Sequence, residues 1–302
     1  MFFQQLINGL TLGGIYALIA VGYTMVYGII ELINFAHGEI YMLGAYLAFS
    51  CVAILGLPFP SAIVVSVCSC ALFGIFLEFI AYRPLRKAPR LAALITAIGA
   101  SLFLQNVALL IWGGRLKSYP SNTLPPFFED VAVSLFKNSD RFQQIDISWL
   151  QFSIIFVTIL LMIGLHLLIT RTRIGTAMRA CAQDKVTASL MGINVNRVIS
   201  FTFAVGSALG AVAGIIVGIY YNAIFTMMGY TAGVKAFAAA VLGGIGNIPG
   251  AMLGGFVLGV AETFGAGYIS SGYRDGLSYA LMIIVIIFRP SGLLGRKQVV
   301  KV

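Results

Sequence analysis

Residues Gly28 to Gly44 read GIIELINFAHGEIYMLG and place Glu31, Asn34, His37 and Glu39 within nine positions of a long apolar run. Whether that run is one element or two depends on its solvent. Of the 302 residues 60% are hydrophobic and only 10% charged, with a mean hydropathy of +0.98, against about 25% charged in an ordinary soluble domain. A helix rises about 1.5 Å per residue, so about 20 apolar residues cross a hydrocarbon layer of about 30 Å. The sequence holds many such windows and is expected to be an all-α polytopic membrane protein with about eight transmembrane helices. Leu6 to Ile30 is already a full span. A charged residue at the centre of a span costs about 2.5 to 3.5 kcal/mol, while each Leu or Ile returns only about 0.3 to 0.6. Two carboxylates therefore fit a junction better than a span, and residues 31–39 are expected to form a broken segment between two helices.

Charge distribution sets the expected orientation. The formal net charge is +9, but it is gathered in short segments. Arg83 to Arg90 carries four basic residues and none acidic, Arg171 to Arg197 five against Asp184 alone, and Arg289 to Val302 four and none acidic. Residues 113–148 balance four basic residues (Arg115, Lys117, Lys137, Arg141) against four acidic ones (Glu129, Asp130, Asp140, Asp146). By the positive-inside rule the three basic segments face the cytoplasm and 113–148 is an extracytoplasmic loop. Membrane lipid rather than nucleic acid is the partner that this clustering implies. Counting spans between these loops (6–30, 40–56, 61–82, 91–112, 149–170, 198–221) places the N-terminus outside and the C-terminus inside. Arg83 is the first Lys or Arg in the chain, so a cleaved leader is not expected. Cys51, Cys68, Cys70 and Cys181 have no metal-ligand spacing and read as structural thiols. With His37 and His166 the only histidines, no metal set or nucleophile–base pair can be assembled, which argues against an enzyme.

A second interruption lies in Val234 to Phe264, a run too long for one comfortable span. Its middle, LGGIGNIPG (242–250), holds four glycines and Pro249, and is expected to break the helix into two short spans or a re-entrant pair. Interrupted segments in the two halves of a membrane chain point to a binding or translocation region. Asn34, His37, Glu39 and Asn247 are thus candidates for lining or gating a pathway. Lys235 and Glu262 also interrupt apolar surroundings, while Glu78 and His166 are expected to pair or snorkel near the basic segments. Gly206, Gly210, Gly214 and Gly218 recur every fourth residue, as do Gly246, Gly250 and Gly254. Such faces admit a close backbone neighbour, either within this chain or in another membrane subunit. Between the fifth and sixth long apolar runs, residues 171–197 are too polar to span. Their apolar spacing (Ile174, Met178, Ala182, Ala188, Leu190, Met191) predicts a short amphipathic helix ending near Gly192, which either lies on the membrane surface or docks a soluble partner.

Three long segments carry a resemblance: LINGLTLGGIYALIAVGYTMVYGIIELINFAHGEIYMLGAY (6–46), GTAMRACAQDKVTASLMGINVNRVI (175–199) and KAFAAAVLGGIGNIPGAMLGGFVLGVAE (235–262). Together they resemble the permeases of bacterial branched-chain amino acid ATP-binding cassette importers, in particular the first of the two permease subunits of that system. The resemblance covers essentially the whole chain, 1–302, as a single permease domain. It implies ATP-driven alternating access for leucine, isoleucine or valine across the bacterial cytoplasmic (inner) membrane. It also implies a heterodimer with a second permease, two cytoplasmic ATP-binding subunits and an extracytoplasmic substrate-binding protein. Residues 171–197 would be the coupling loop, with Arg179, Asp184, Ala188, Ser189 and Gly192 at the ATPase contact. Importer permeases carry Glu-Ala-Ala, three residues, Gly in that loop; here Val186, Thr187, Ala188 and Gly192 stand in those places, so only the second Ala and the Gly match. The chain has no G-x-x-x-x-G-K-[ST] loop, so ATP and Mg²⁺ belong to the partner ATPases and no cofactor is expected in this chain. A related permease for urea or other amino acids is the neighbouring alternative, and a secondary transporter or channel the more distant one.

Overall fold

A computed structural model describes residues 2–32, 34–120, 131–135, 145–289 and 291–295. Eleven α-helices carry the described fold: α1 Phe2–Ile30, α2 His37–Ala53, α3 Phe59–Leu77, α4 Arg90–Trp112, α5 Trp149–Arg171, α6 Arg173–Gln183, α7 Lys185–Leu190, α8 Val195–Tyr220, α9 Met228–Gly243, α10 Ile248–Tyr268 and α11 Arg274–Phe288. A π-helical turn, Glu78–Tyr82, continues α3. Among the described residues seven helical segments are long and apolar enough to cross a bilayer, which makes the protein all-α and polytopic. The helices α2 and α9, of 17 and 16 residues, are shorter. Within the 113–148 loop, Val131–Leu135 pairs antiparallel with Ile145–Ser148; residues 121–130 and 136–144 lie outside the described part.

The helix α1 is apolar on every side, and such a helix belongs in the middle of a bundle. It is buried along almost its whole length, with α8, α9 and α10 around it. Its close contact with α10 is made by glycines. A Cβ at Gly13 would sit 2.8 Å from the Phe256 Cα, and one at Gly255 would strike the Ala17 backbone. Around this centre α3, α4, α5 and α11 turn large apolar side chains outward, among them Leu72, Leu110, Phe156 and Ile287. That is the arrangement a lipid solvent selects.

Three breaks shape the interior. After α1 the chain leaves the helix at Glu31, whose φ is +62°, and α2 restarts when the His37 amide donates to the Asn34 carbonyl at 3.0 Å. After α8 a second break begins at Asn222, φ +46°. It is tied to the 113–120 segment by paired backbone bonds between Lys117 and Ile224 and by the Tyr119 amide donating to Asn222 Oδ1 at 3.0 Å. The third break falls within 242–250, where Gly244 and Gly246 take φ of +105° and +90°, and Asn247 then caps α10 by accepting from the Gly250 amide.

This third turn does not stand alone. The Leu293 and Leu294 amides donate to the Leu242 and Gly243 carbonyls at 2.8 and 3.1 Å, and the Asn247 side-chain amide donates to the Leu294 carbonyl at 2.6 Å. The carbonyls that the end of α9 leaves without helical partners are thus met by a strap from the C-terminal tail. This end of the bundle also carries Arg83, Arg86, Arg171 and Lys185 and is called the basic end below; Lys185 Nζ donates to the Ile30 carbonyl there.

Gly214 faces the Tyr41 carbonyl so closely that a Cβ would overlap it, whereas a Cβ at Gly164 meets nothing within 4 Å. Gly214→Leu should therefore cost at least the ~1–3 kcal/mol of an overpacked core. Gly164→Leu should be neutral or mildly stabilising through helix propensity. Thermal unfolding of the two purified variants checks the difference.

Candidate functional site

The first and second breaks lead to the same place. His37, the first residue of α2, lies against Gly22 of α1 and against Gly206 and Gly210 at the middle of α8. Glu39 meets Ser101 at the middle of α4. Between Glu31 and Ala36 the chain therefore returns from the basic end to half the depth of the bundle. The segment 222–227 does the same from the opposite end. There the two short helices begin side by side, α2 running away from the basic end and α9 towards it. Gly38 packs directly on the Gly229 carbonyl, with the Gly233 Cα at 2.9 Å from where a Cβ would stand. The stretch that meets the first break is thus 222–227 together with the start of α9, not 242–250. Asn247, at the third break, stands apart from Asn34, His37 and Glu39.

Each helix N-terminus carries a partial positive charge from its unpaired amides, and Glu39 places a carboxyl group between the two. Its side chain is fully buried. Oε1 accepts from Ser101 Oγ at 2.9 Å, while Oε2 reaches the Gly229 backbone without a hydrogen bond. Asn34 Oδ1 accepts from the Tyr82 hydroxyl at 2.7 Å, which leaves Asn34 Nδ2 unpartnered, as is His37 Nε2. The Tyr23 ring meets the His37 ring edge-on at 4.9 Å, and Phe35 and Phe237 close the basic-end side at 5.8 Å. A buried polar group without a partner costs about 1–3 kcal/mol. Three such groups at one crossing make a polar point in the bundle with hydrogen-bonding capacity to spare, closed by glycine contacts between the helices and by the Phe35–Phe237 pair.

The other singled-out residues have plain structural surroundings. Gly206 and Gly210 face His37, Gly214 faces Tyr41, and Gly218 faces Tyr119 and Ile224. Gly250 and Gly254 face the end of α9. All are contacts within this chain. Glu78, fully buried, pairs with Arg86 and accepts from Ser200 Oγ at 2.6 Å, fastening the π-helical turn to α8. His166 is exposed on α5. Glu262 is buried at the centre of an ion cluster: it accepts from Lys235 Nζ at 2.9 Å, Arg274 Nε at 2.5 Å, Ser278 Oγ at 2.9 Å and the Tyr16 hydroxyl at 3.1 Å. Lys235 also pairs with Asp275 at 2.6 Å. Sequence reading missed Tyr23, Tyr82, Ser101, Gly229, Gly233 and Arg274. Only the four-residue spacing of Gly229 and Gly233 offered a signal; nothing near Ser101 marks it.

At the basic end, residues 171–197 fold into α6 and α7. Asp184 caps α7, accepting from the Val186 and Thr187 amides and from Thr187 Oγ1 at 2.8, 3.2 and 2.6 Å. These bonds hold its carboxyl below the usual carboxylate range, so the cap is intact at neutral pH and lost as pH falls through that depressed value. Ala188 is buried beneath α7, Ser189 is exposed, and Gly192 turns the chain with φ +84°. Among the described residues Arg179 reaches Thr176 of its own helix, at 3.3 Å. Val186, Leu190 and Met191 stand out at 70%, 82% and 78% exposure, an apolar patch on an otherwise polar loop. Among the described residues no three His, Cys, Asp or Glu side chains converge as a metal ion would require.

Residues 5–286 match the family model described as branched-chain amino acid transport system / permease component. The chain is 49% identical to the high-affinity branched-chain amino acid transport system permease protein BraD of Pseudomonas aeruginosa, covering 100% of this chain and 98% of that protein. It is 47% identical to the corresponding permease protein LivH of Escherichia coli, with the same coverage. To the probable branched-chain amino acid transport permease protein LivH of the archaeon Methanocaldococcus jannaschii it is 30% identical, over 92% of this chain and 88% of that one.

Glu262→Gln leaves Lys235 and Arg274 with one buried counter-charge fewer. Breaking a buried pair costs about 3–5 kcal/mol; because Asp275 remains for Lys235, a loss near the lower end of that range is expected. It should appear as a fall in the unfolding midpoint of the solubilised protein.

Proposed function

Because the chain belongs to the family of branched-chain amino acid transport system permease components, we propose that it is the membrane subunit of an importer for leucine, isoleucine or valine. It works in the bacterial cytoplasmic membrane with its basic end in the cytoplasm and its N-terminus outside. The observation that carries the mechanism is the crossing of α2 and α9, two short helices that start at half-depth and run to opposite ends. A bundle closed at its middle by glycine contacts can open by small rigid shifts of packed helices. Parting of α2 from α9 would uncover Glu39, His37 and Asn34 and the two helix N-termini to a passing zwitterion. Import against a gradient needs an energy source, and this chain carries no phosphate loop. A second permease, two ATP-binding subunits that hold ATP and Mg²⁺, and an extracytoplasmic binding protein would complete the assembly.

The loop 171–197 is the contact for an ATPase in this reading. The exposed Val186, Leu190 and Met191 suit a soluble partner's cleft, and Lys185 ties α7 to the end of α1, beside the first break. Motion of α7 would thus reach the segment that leads to the crossing.

A cysteine at exposed Ser189 should cross-link to an ATP-binding subunit in the assembled complex, while one at buried Ala188 should react far more slowly. Failure of Ser189→Cys to cross-link in an intact complex would remove the docking assignment. In proteoliposomes, Glu39→Gln should lower leucine uptake by about tenfold or more, the effect of losing an interaction worth ~1.4 kcal/mol or more in the transport step. Glu78→Gln, at equal levels of assembled protein, should leave uptake close to wild type. Competition by excess leucine but not by urea identifies the substrate class.

A further inference from the structure

At the end opposite the basic loops, α1, α8, α10 and α11 enclose a hollow of about 240 Å³. Arg274 forms one wall. Its Nε is engaged by Glu262 and its Nη2 by the Tyr221 hydroxyl at 3.0 Å, which among the described residues leaves Nη1 for a ligand. Across the hollow, Asn8 Oδ1 already accepts from Gln151 at 2.9 Å and Gln4 at 3.4 Å, so its amide N–H groups are the part of that side chain still to be used. No acidic residue lines the space, because Glu262 lies beneath it in the ion cluster and Asp275 is turned to Lys235. Leu12 and Ala266 supply an apolar floor, and Tyr220 and Tyr221 stand at the rim, the Tyr221 ring under the Arg274 guanidinium at 6.0 Å.

A guanidinium with a free N–H beside free amide donors suits an oxyanion. Tyr220 suits an ammonium, and a small apolar floor suits a branched side chain. We propose that this hollow is an entry subsite for a free α-amino acid, with the carboxylate on Arg274 and Asn8 and the side chain over Leu12 and Ala266. The proposal rests on the import reading above and adds a station between delivery outside and the crossing at half-depth. The phosphate of an anionic lipid presents the same oxyanion chemistry, and the test separates the two sources.

Gly267, exposed on the rim, would place a Cβ against only the movable end of the Gln5 side chain, so Gly267→Cys is well tolerated. Cys51, Cys70 and Cys181 are buried, and Cys68→Ser removes the exposed thiol. In the complete detergent-solubilised transporter, labelling of Gly267→Cys by a charged maleimide should slow about tenfold with leucine at about ten times its Kd. Ala266→Phe, which fills the hollow and leaves the Lys235–Glu262 pair unchanged in sequence, should abolish that protection. The same variant should raise the KM of leucine uptake by about tenfold or more in complexes that still assemble. Protection by phosphatidylglycerol but not by leucine would overturn the proposal in favour of a lipid site. Labelling unaffected by either, or an unchanged KM in assembled Ala266→Phe, would overturn it outright. Leucine protection of Gly267→Cys, together with a wild-type complex that imports no leucine, would uphold the hollow as an amino acid site and refute the import reading instead.

Discussion

A peptide group that leaves a helix inside hydrocarbon has no water to bond, and each one left unsatisfied costs several kcal/mol. This protein leaves helical geometry after Glu31 and again between Asn222 and Met227. Asn34, Ala36 and Ile224 are buried among the surrounding helices, while Glu31, Asn222, Phe225 and Met227 stay exposed. The buried stretches need protein around them. That requirement explains why α1 is a central helix with almost no exposed surface. It also explains why α8 offers a row of glycines to the restarted α2, and why the 113–120 segment folds back to pair with Ile224. The outward apolar faces of α3, α4, α5 and α11 form the wall towards lipid.

Glycine does in this bundle what large side chains do in a water-soluble core. In lipid there is little gain in hiding one apolar surface against another, so helices associate through dispersion at short backbone distances and through buried polar contacts. Gly9, Gly13, Gly255 and Gly259 let α1 and α10 touch, and Gly38, Gly229 and Gly233 let α2 and α9 begin side by side. The ion cluster around Glu262 then holds α9, α10 and α11 to α1 through Tyr16 and Lys235. Backbone contacts set the spacing, and buried charge sets which helices share it.

How much of this was legible in the sequence depended on how local the cause was. The spans, the break at 31–39, the break at 242–250 and the short amphipathic element in 171–197 follow from hydropathy, glycine and proline within a few residues of each feature. The break at 222–227 did not announce itself, because YNAIFTM reads as an ordinary turn between spans. Its depth is a property of the bundle, set by Lys117 and Tyr119 about a hundred positions away. Lys235 and Glu262 could be recognised as misplaced polar groups, but their grouping with Arg274 and Asp275 required the return of α11. Asn34, His37 and Glu39 could be nominated from one short stretch. Ser101 and Gly229, which complete their surroundings, come from helices whose local sequence gives no hint of the meeting.

The strap at Leu293 and Leu294 ties this architecture to the order in which the chain is made. The carbonyls of Leu242 and Gly243 find their partners some fifty residues downstream, after α10 and α11. The end of α9 therefore gains these bonds only once Leu293 and Leu294 have been made. A nascent chain truncated before Leu293 would carry every described helix and still lack the bonds that finish the third break.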